Sequence, residues 1–390
     1  MRTAFLRDNA KLPFLRIIVH LGSGRNNKEM VILLRKNEVS AILAILLSVT
    51  LAFSICLTPA AAAAPAPFEV EVPGSTGYAL CGLNLRSGPS TSYQVLKTMP
   101  AGTAFVILGE AGDFLHVRLP DSTEGYASST YIMINLPDVI PSICYNATNS
   151  YDSKYRSLGE PLPGITGQAL YTSKTMNNRL GYEEYMMPVL YKMAKKIYLA
   201  QQAALANGDC LILYESYRPK SVQAAVGTAL DKLAWQNPAV YNAVIANPNF
   251  SKAYFINSGV GNHQLGVAID VSLGSYTETT PVTIGGRTIQ KPSNVVEYTM
   301  PSPMHELSPR SAVFARQYSH TGTNWRAQPL TASFAANQPA QKLQKYCTDA
   351  GLTPLCSEWW HFNDNQIRPG VKNAGKGGFE ITTCLSTQPI

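Results

Sequence analysis

Two short stretches of this chain gather side chains that perform hydrolytic chemistry. In "CSEWWHFN", Glu358 and His361 stand three positions apart with Trp359 and Trp360 between them. In "GNHQLGVAIDVSL", His263 precedes Asp270 by seven positions. The alternation of "GVAIDV" puts Val267, Ile269 and Val271 on one face of a strand and Asp270 on the other. A carboxylate on the open face of a buried strand calls for a cation, because leaving it unpaired in a low dielectric is costly. His263 offers a neutral nitrogen to the same ion. With His361 as third ligand, two imidazoles and one carboxylate make a set suited to Zn2+ that leaves a fourth position open for water.

Zinc lowers the pKa of such a water to about 7, and Glu358 is the carboxylate expected to take the proton as that water attacks a carbonyl. On a regular strand, positions 358 and 361 would face opposite ways, so Glu358 is expected at a bend or bulge. Trp359 and Trp360 are expected as walls that exclude water and hold Glu358 and His361 in place. Arg218, in "YRP", is the guanidinium expected to stabilise an oxyanion, a task for which Lys has the less suitable geometry. Of the remaining histidines, His116 falls in a small β segment, His305 is expected in the pocket, and His320 is expected to be structural.

The elements that position these residues read as mixed helix and strand. Pro188 is expected to open a helix through Val189, Leu190, Met193, Ile197, Ala200 and Ala204, ended by Asn207 and Gly208. "CLILY" then reads as a short buried strand delivering "ESYRP" to a turn, and Pro219 starts a second helix. Upstream, residues 68–135 alternate in short runs separated by turns, the pattern of a small all-β unit. Their core, "LNLRSGPSTSYQVLKTMPAG", with "GYASSTYI" closing the barrel, resembles bacterial SH3-like domains, which implies a cell-wall-binding or spacer module. Residues 136–164, rich in Pro, Asn, Ser and Tyr, are expected as a polar linker to a catalytic part spanning 165–390.

Residues 1–64 read as a leader. Ala41 to Leu57 is an uncharged apolar run preceded by Arg35 and Lys36 and followed by small residues that offer a cleavage site near Ala64. It falls short of the ~20 residues of a spanning helix, so cleavage is expected rather than a retained anchor, and the rest of the chain is exported either way. The leader holds 8 Lys and Arg against 3 Asp and Glu, so the net +7 falls to +2 beyond it. That balance, with no basic run, excludes nucleic acid as a partner. Cys56 leaves with the leader, and an oxidising compartment would let the other six cysteines pair, with Cys347 and Cys356 close enough in sequence to clip the approach to "EWWHF".

Taken in order, "YESYRPKSVQ", "NHQLGVAIDVSL" and "SEWWHFN" resemble the zinc D-alanyl-D-alanine dipeptidase and carboxypeptidase family, especially the dipeptidases of vancomycin resistance. The resemblance covers most of 181–363. It implies an α+β, hedgehog-like fold in which helices pack on an antiparallel sheet. It also implies zinc on His263, Asp270 and His361, Glu358 as general base and acid, and Arg218 stabilising the transition state. The substrate implied is D-Ala-D-Ala, as free dipeptide or as the end of a peptidoglycan stem. A secreted, wall-associated enzyme is expected, or one held at the membrane should the leader stay.

Two departures from the family pattern bear on substrate. Gly261 stands where the family commonly has Ser, leaving Ser258 as the candidate for that hydroxyl contact. In "MPSPMHELS", His305 stands where the family's Asp recognises the substrate ammonium, with Glu306 beside it as the expected replacement. Ser258, His305, Glu306, Trp359 and Trp360 thus form the expected substrate-binding set. Should Glu306 not take over, a longer peptide is tolerated and the enzyme acts as a carboxypeptidase. The alternatives are an endopeptidase for another wall linkage such as L-Ala-D-Glu, and a non-catalytic wall-binding protein.

Overall fold

The computed structural model describes residues 68–390 except Ser173 and 320–323, together with the backbone of two N-terminal strands. These strands, Phe14–Leu21 and Lys28–Arg35, pair antiparallel with Phe14 opposite Arg35. The apolar run from Ala41 to Leu57, Cys56, the expected cleavage region and His320 lie outside the described residues.

The described residues from 68 onward form one compact unit built around a six-stranded and an eight-stranded sheet. Seven short strands between Thr76 and Asn135 make the small all-β part. Burial alternates along Leu83–Arg86 and Glu124–Ser128, so that Leu83, Leu85, Gly125 and Ala127 point inward, whereas Thr76–Ala79 and Ile132–Asn135 are buried throughout. An eighth strand joins this sheet from farther along the chain. Pro188–Leu190 pairs antiparallel with Ile132–Asn135, Leu190 opposite Met133. Pro188 therefore sits in an edge strand, where a missing N–H costs no ladder bond, and the helix expected from it begins three residues later, over Tyr191–Leu205.

The second sheet carries the chemistry. Its strands run in the order Cys144–Tyr145, Asp209–Glu215, Ala268–Ser275, His361–Asn363, Thr353–Pro354, and Val296–Glu297 also pairs with Ala268–Ser275. All pairings are antiparallel except that of Cys144–Tyr145 with Asp209–Glu215. Helix Tyr191–Leu205 buries Met193, Ala194, Ile197, Ala200 and Ala204. Helix Lys220–Gln236 follows Pro219, as expected, and buries Val222, Val226 and Leu230.

Residues 136–164, expected as a polar linker, are packed into the unit instead. Val139, Ile140, Ile143 and Tyr155 are buried, and so are the polar residues Asp138, Ser142, Asn149 and Ser157. Asp138 accepts from Thr76 N, Asn135 Nδ2, Asn177 Nδ2 and Ser386 Oγ. Asn149 Nδ2 donates to Glu215 Oε1 at 2.7 Å. The two sheets consequently share one apolar core, in which Leu80, Phe105 and Ile134 join Leu190, Met193 and Leu265. Gly266 packs directly against Met133 and Leu190 of the first sheet. Its φ of +63° is left-handed, and a Cβ there would lie 2.9 Å from Met133 Sδ. The six described cysteines are free thiols, so neither the Cys347–Cys356 clip nor any other expected pairing is formed among them.

Candidate metal centre

Strand register creates the site. Asp270 lies directly opposite Glu215 on one neighbouring strand and His361 on the other, so three ionisable side chains stand in a row across the sheet. The expected alternation holds here: Ile269 and Val271 enter the core, while Asp270 is 1% exposed on the opposite face.

His263 arrives from the loop before the strand. Its Nδ1 lies 2.6 Å from the carbonyl of Ser216, an acceptor, so the ring proton is at Nδ1 and the Nε2 lone pair points inward. His361 Nε2 lies 2.8 Å from Asn363 Oδ1, which also accepts from Asn262 Nδ2 at 2.7 Å. The proton of His361 is thus at Nε2, and its Nδ1 lone pair faces the same point. His263 Nε2 and His361 Nδ1 are 3.2 Å apart, and Asp270 Oδ1 is 3.3 and 3.0 Å from them. Three lone pairs converge with no proton assigned between them, which a divalent cation relieves. The donor set fits zinc.

Glu358 sits in the turn before strand His361–Asn363, and Oε2 reaches to 3.6 Å from His361 Nδ1. The bend brings both side chains to one point. Burial and then the Asp270 charge hold the Glu358 carboxyl well above the usual carboxylate range. For Asp270, burial acts upward, but the imidazoles of His263, His305 and His361 outweigh it and hold the carboxyl well below that range. The surroundings thereby push the two buried carboxyl groups in opposite directions.

Arg218 is more tightly engaged than the sequence indicated. Its Nε donates to Glu215 Oε2 at 2.8 Å, its Nη2 to Glu215 Oε2 and to Asp270 Oδ2 at 3.1 Å, and its Nη1 to Gln223 Oε1 at 2.7 Å. The guanidinium thus offsets the repulsion between Glu215 and Asp270. Glu215, Asp270 and His305 also have the spacing of a metal triad, but there Arg218 already supplies the positive charge between the two acids.

A cavity of about 350 Å³ opens over these groups. His305 and Trp360 line it, as expected. His305 has a left-handed φ of +59°, its ring stacks on Tyr155 at 4.4 Å, and its Nε2 is 3.3 Å from Asp270 Oδ2. The other three expected substrate residues are elsewhere. Ser258 is exposed and outside the cavity lining. Glu306 is buried, and its carboxylate accepts from Leu158 N, Gly159 N and Ser308 Oγ, a chain-bracing role set by the turn at 158–159. Trp359 packs edge-on against Trp360 with its Nε1 donating to Ser302 Oγ, so it supports the wall from behind. At Gly261 an added Cβ would meet Gln264 Oε1 at 3.0 Å, so no side chain takes the place of the family's hydroxyl.

The sequence reading missed Glu215, Tyr155, Gln223, Asn363 and Arg368. Glu215 had a signal, three positions before Arg218 in "YESYRP"; Tyr155 had none, since it lay in the apparent linker.

Residues 153–373 match the family model described as D-ala-D-ala dipeptidase, and residues 82–133 match that of the bacterial SH3 domain. No curated protein matches the chain.

Proposed function

The chain belongs to the D-ala-D-ala dipeptidase family and is a metallopeptidase, and from that premise we propose that it removes the terminal D-alanine from acylated peptides ending in D-Ala-D-Ala, such as peptidoglycan stems. The observation that carries this reading is the fate of Glu306. Its carboxylate is consumed by backbone amides outside the cavity. Among the described residues lining the cavity, Asp270 and Glu358 are the acids, and both belong to the metal centre. A free dipeptide would bring its ammonium into a pocket with no carboxylate to receive it, at the cost of a desolvated charge. An acylated peptide carries no such charge.

Zinc held by His263, Asp270 and His361 supplies a Lewis acid and a water acidified to near neutrality. Glu358 takes the proton from the attacking oxygen and returns it to the leaving amine nitrogen. Arg218 commits four of its five N–H groups to Glu215, Asp270 and Gln223, which leaves one on Nη1 for the developing oxyanion. Trp360 and the stacked Tyr155–His305 pair keep bulk water from the site. The SH3 part supports a wall-associated, exported enzyme, since such substrates lie outside the cell.

The test is mass analysis of products from free D-Ala-D-Ala and from an acylated peptide with the same end, each with and without a chelator. Release of D-alanine from the acylated peptide, abolished by chelation, is the expected result. Faster turnover of the free dipeptide, or cleavage that survives chelation, would overturn the proposal.

A further inference from the structure

The cavity holds two guanidinium groups, Arg218 and Arg368, and their situations differ. Arg218 is matched by two buried carboxylates. Arg368 is half-buried and forms no ion pair among the described residues. A guanidinium at the lip of a cavity, uncompensated by the protein, is complementary to a carboxylate from elsewhere, which it binds through a two-pronged fork.

Arg368 is also held in place. Its Nε donates to Asn262 Oδ1 at 2.7 Å, Asn262 Nδ2 donates to Asn363 Oδ1 at 2.7 Å, and the same oxygen accepts from His361 Nε2 at 2.8 Å. Three hydrogen bonds thus tie the guanidinium to a metal ligand, leaving both Nη groups for a partner. Its backbone is fixed as well, by Arg368 N donating to Asp364 O at 3.2 Å in a short helix. Such an arrangement sets a fixed reach from the reacting centre to the cation.

We infer that Arg368 binds the free C-terminal carboxylate of the peptide cleaved here, and so makes the enzyme an exopeptidase. The inference rests on the peptidase reading above. The terminal carboxylate lies one residue, about 3.5 Å of extended chain, beyond the attacked carbonyl. Neither position expected to offer a substrate hydroxyl does so: Gly261 has no side chain, and Ser258 lies outside the cavity. An Arg fork also selects more sharply than a hydroxyl, since a substrate lacking the charge leaves the guanidinium desolvated and unpaired.

The experiment compares an N-acylated tripeptide ending in D-Ala-D-Ala with its C-terminal amide. Kinetics are measured on the zinc-loaded enzyme, and calorimetric binding of the acid form on the metal-free protein. Wild type is expected to prefer the acid roughly 30- to 100-fold, from a charge-assisted bidentate contact. Arg368→Gln is expected to erase that preference, with the loss carried by KM, and Arg368→Lys to recover part of it. Lys also serves as the informative variant should Gln fail to fold by thermal melting. Equal cleavage of acid and amide by wild type, or a preference that survives Arg368→Gln, would overturn the anchor while leaving the peptidase standing. If wild type cleaves neither, Arg368-dependent binding of the acid form would keep the anchor and remove the proposed reaction; absence of both would remove both.

Discussion

Replacing Glu215 by Gln tests the site through a residue that neighbours Asp270 but is not itself one of the three expected zinc ligands. Glu215 accepts from two N–H groups of Arg218, from the side-chain amide of Asn149 and from the hydroxyls of Tyr155 and Tyr171. Burial raises its carboxyl, yet Arg218 outweighs this and holds it below its ordinary value, so it is an anion in the native protein. Glu215→Gln keeps the volume and removes the charge, leaving Arg218 buried with Asp270 as its remaining counter-charge. Breaking a buried pair from one side costs about 3–5 kcal/mol. For a unit of this size each kcal/mol lowers the melting temperature by about 2 °C, so a drop of roughly 6–10 °C is expected. The second effect falls on metal. With Glu215 neutral, Arg218 draws Asp270 Oδ2 more strongly and weakens the carboxylate as a ligand, which for an outer partner of a metal site amounts to roughly 10- to 100-fold in affinity. Melting curves of the metal-free protein and zinc affinity by competition with a chromophoric chelator give the two numbers separately. A variant that melts like wild type and holds zinc as tightly would refute the claim that Arg218 is shared between the two acids.

Three further outcomes follow from the same geometry. Glu358→Gln should still bind zinc through His263, Asp270 and His361 but lose about 10²- to 10⁴-fold in kcat, the range of a missing proton shuttle; wild-type turnover in a zinc-replete variant would end its assigned role. Asp209 pairs with Lys342 and accepts from Tyr298 and Tyr346, both at 2.7 Å; burial raises its carboxyl, but these partners prevail and its folded value is lowered. Its stabilising effect is therefore present above the unfolded value of about 4 and is lost as pH falls through the folded one, so the melting gap between wild type and Asp209→Asn should be constant from pH 7 to 5 and shrink below about 4. A gap unchanged at pH 3 would contradict this. Finally, a fragment of residues 165–390 should not fold alone, because strand Pro188–Leu190 loses its partner Ile132–Asn135 and the core loses Met133; a cooperative melt of the fragment would refute it.

The local chemistry was legible because it is written in residue type and spacing. The two-fold alternation of "GVAIDV" fixed the face of Asp270, and the resemblance of "SEWWHFN" located His361 and Glu358 before any register was known. What the sequence could not convey depends on long-range pairing. Glu215 became a neighbour of Asp270 through antiparallel register, and Tyr155 reached His305 by crossing from a stretch whose polar composition imitates a solvated linker. Glu306 misled for a related reason. A carboxylate beside His305 in the chain is not beside it in space, since the left-handed backbone at His305 turns the next side chain toward the amides of 158 and 159.

The shared core changes what the SH3 part can do for the peptidase. A barrel on a flexible linker would raise the local concentration of substrate and leave its orientation free. Here strand Ile132–Asn135 of the SH3 part pairs with Pro188–Leu190, and Tyr217, at the turn that carries Arg218, stacks on Phe379 at 4.7 Å while Phe379 in turn covers Gly102 of the SH3 part. The chain after 372 thus straps the two sheets together, with Tyr78 OH donating to Thr383 O and Ser386 Oγ to Asp138. A ligand held by the SH3 part would therefore meet the cleft at one angle, because the two sheets share a single core.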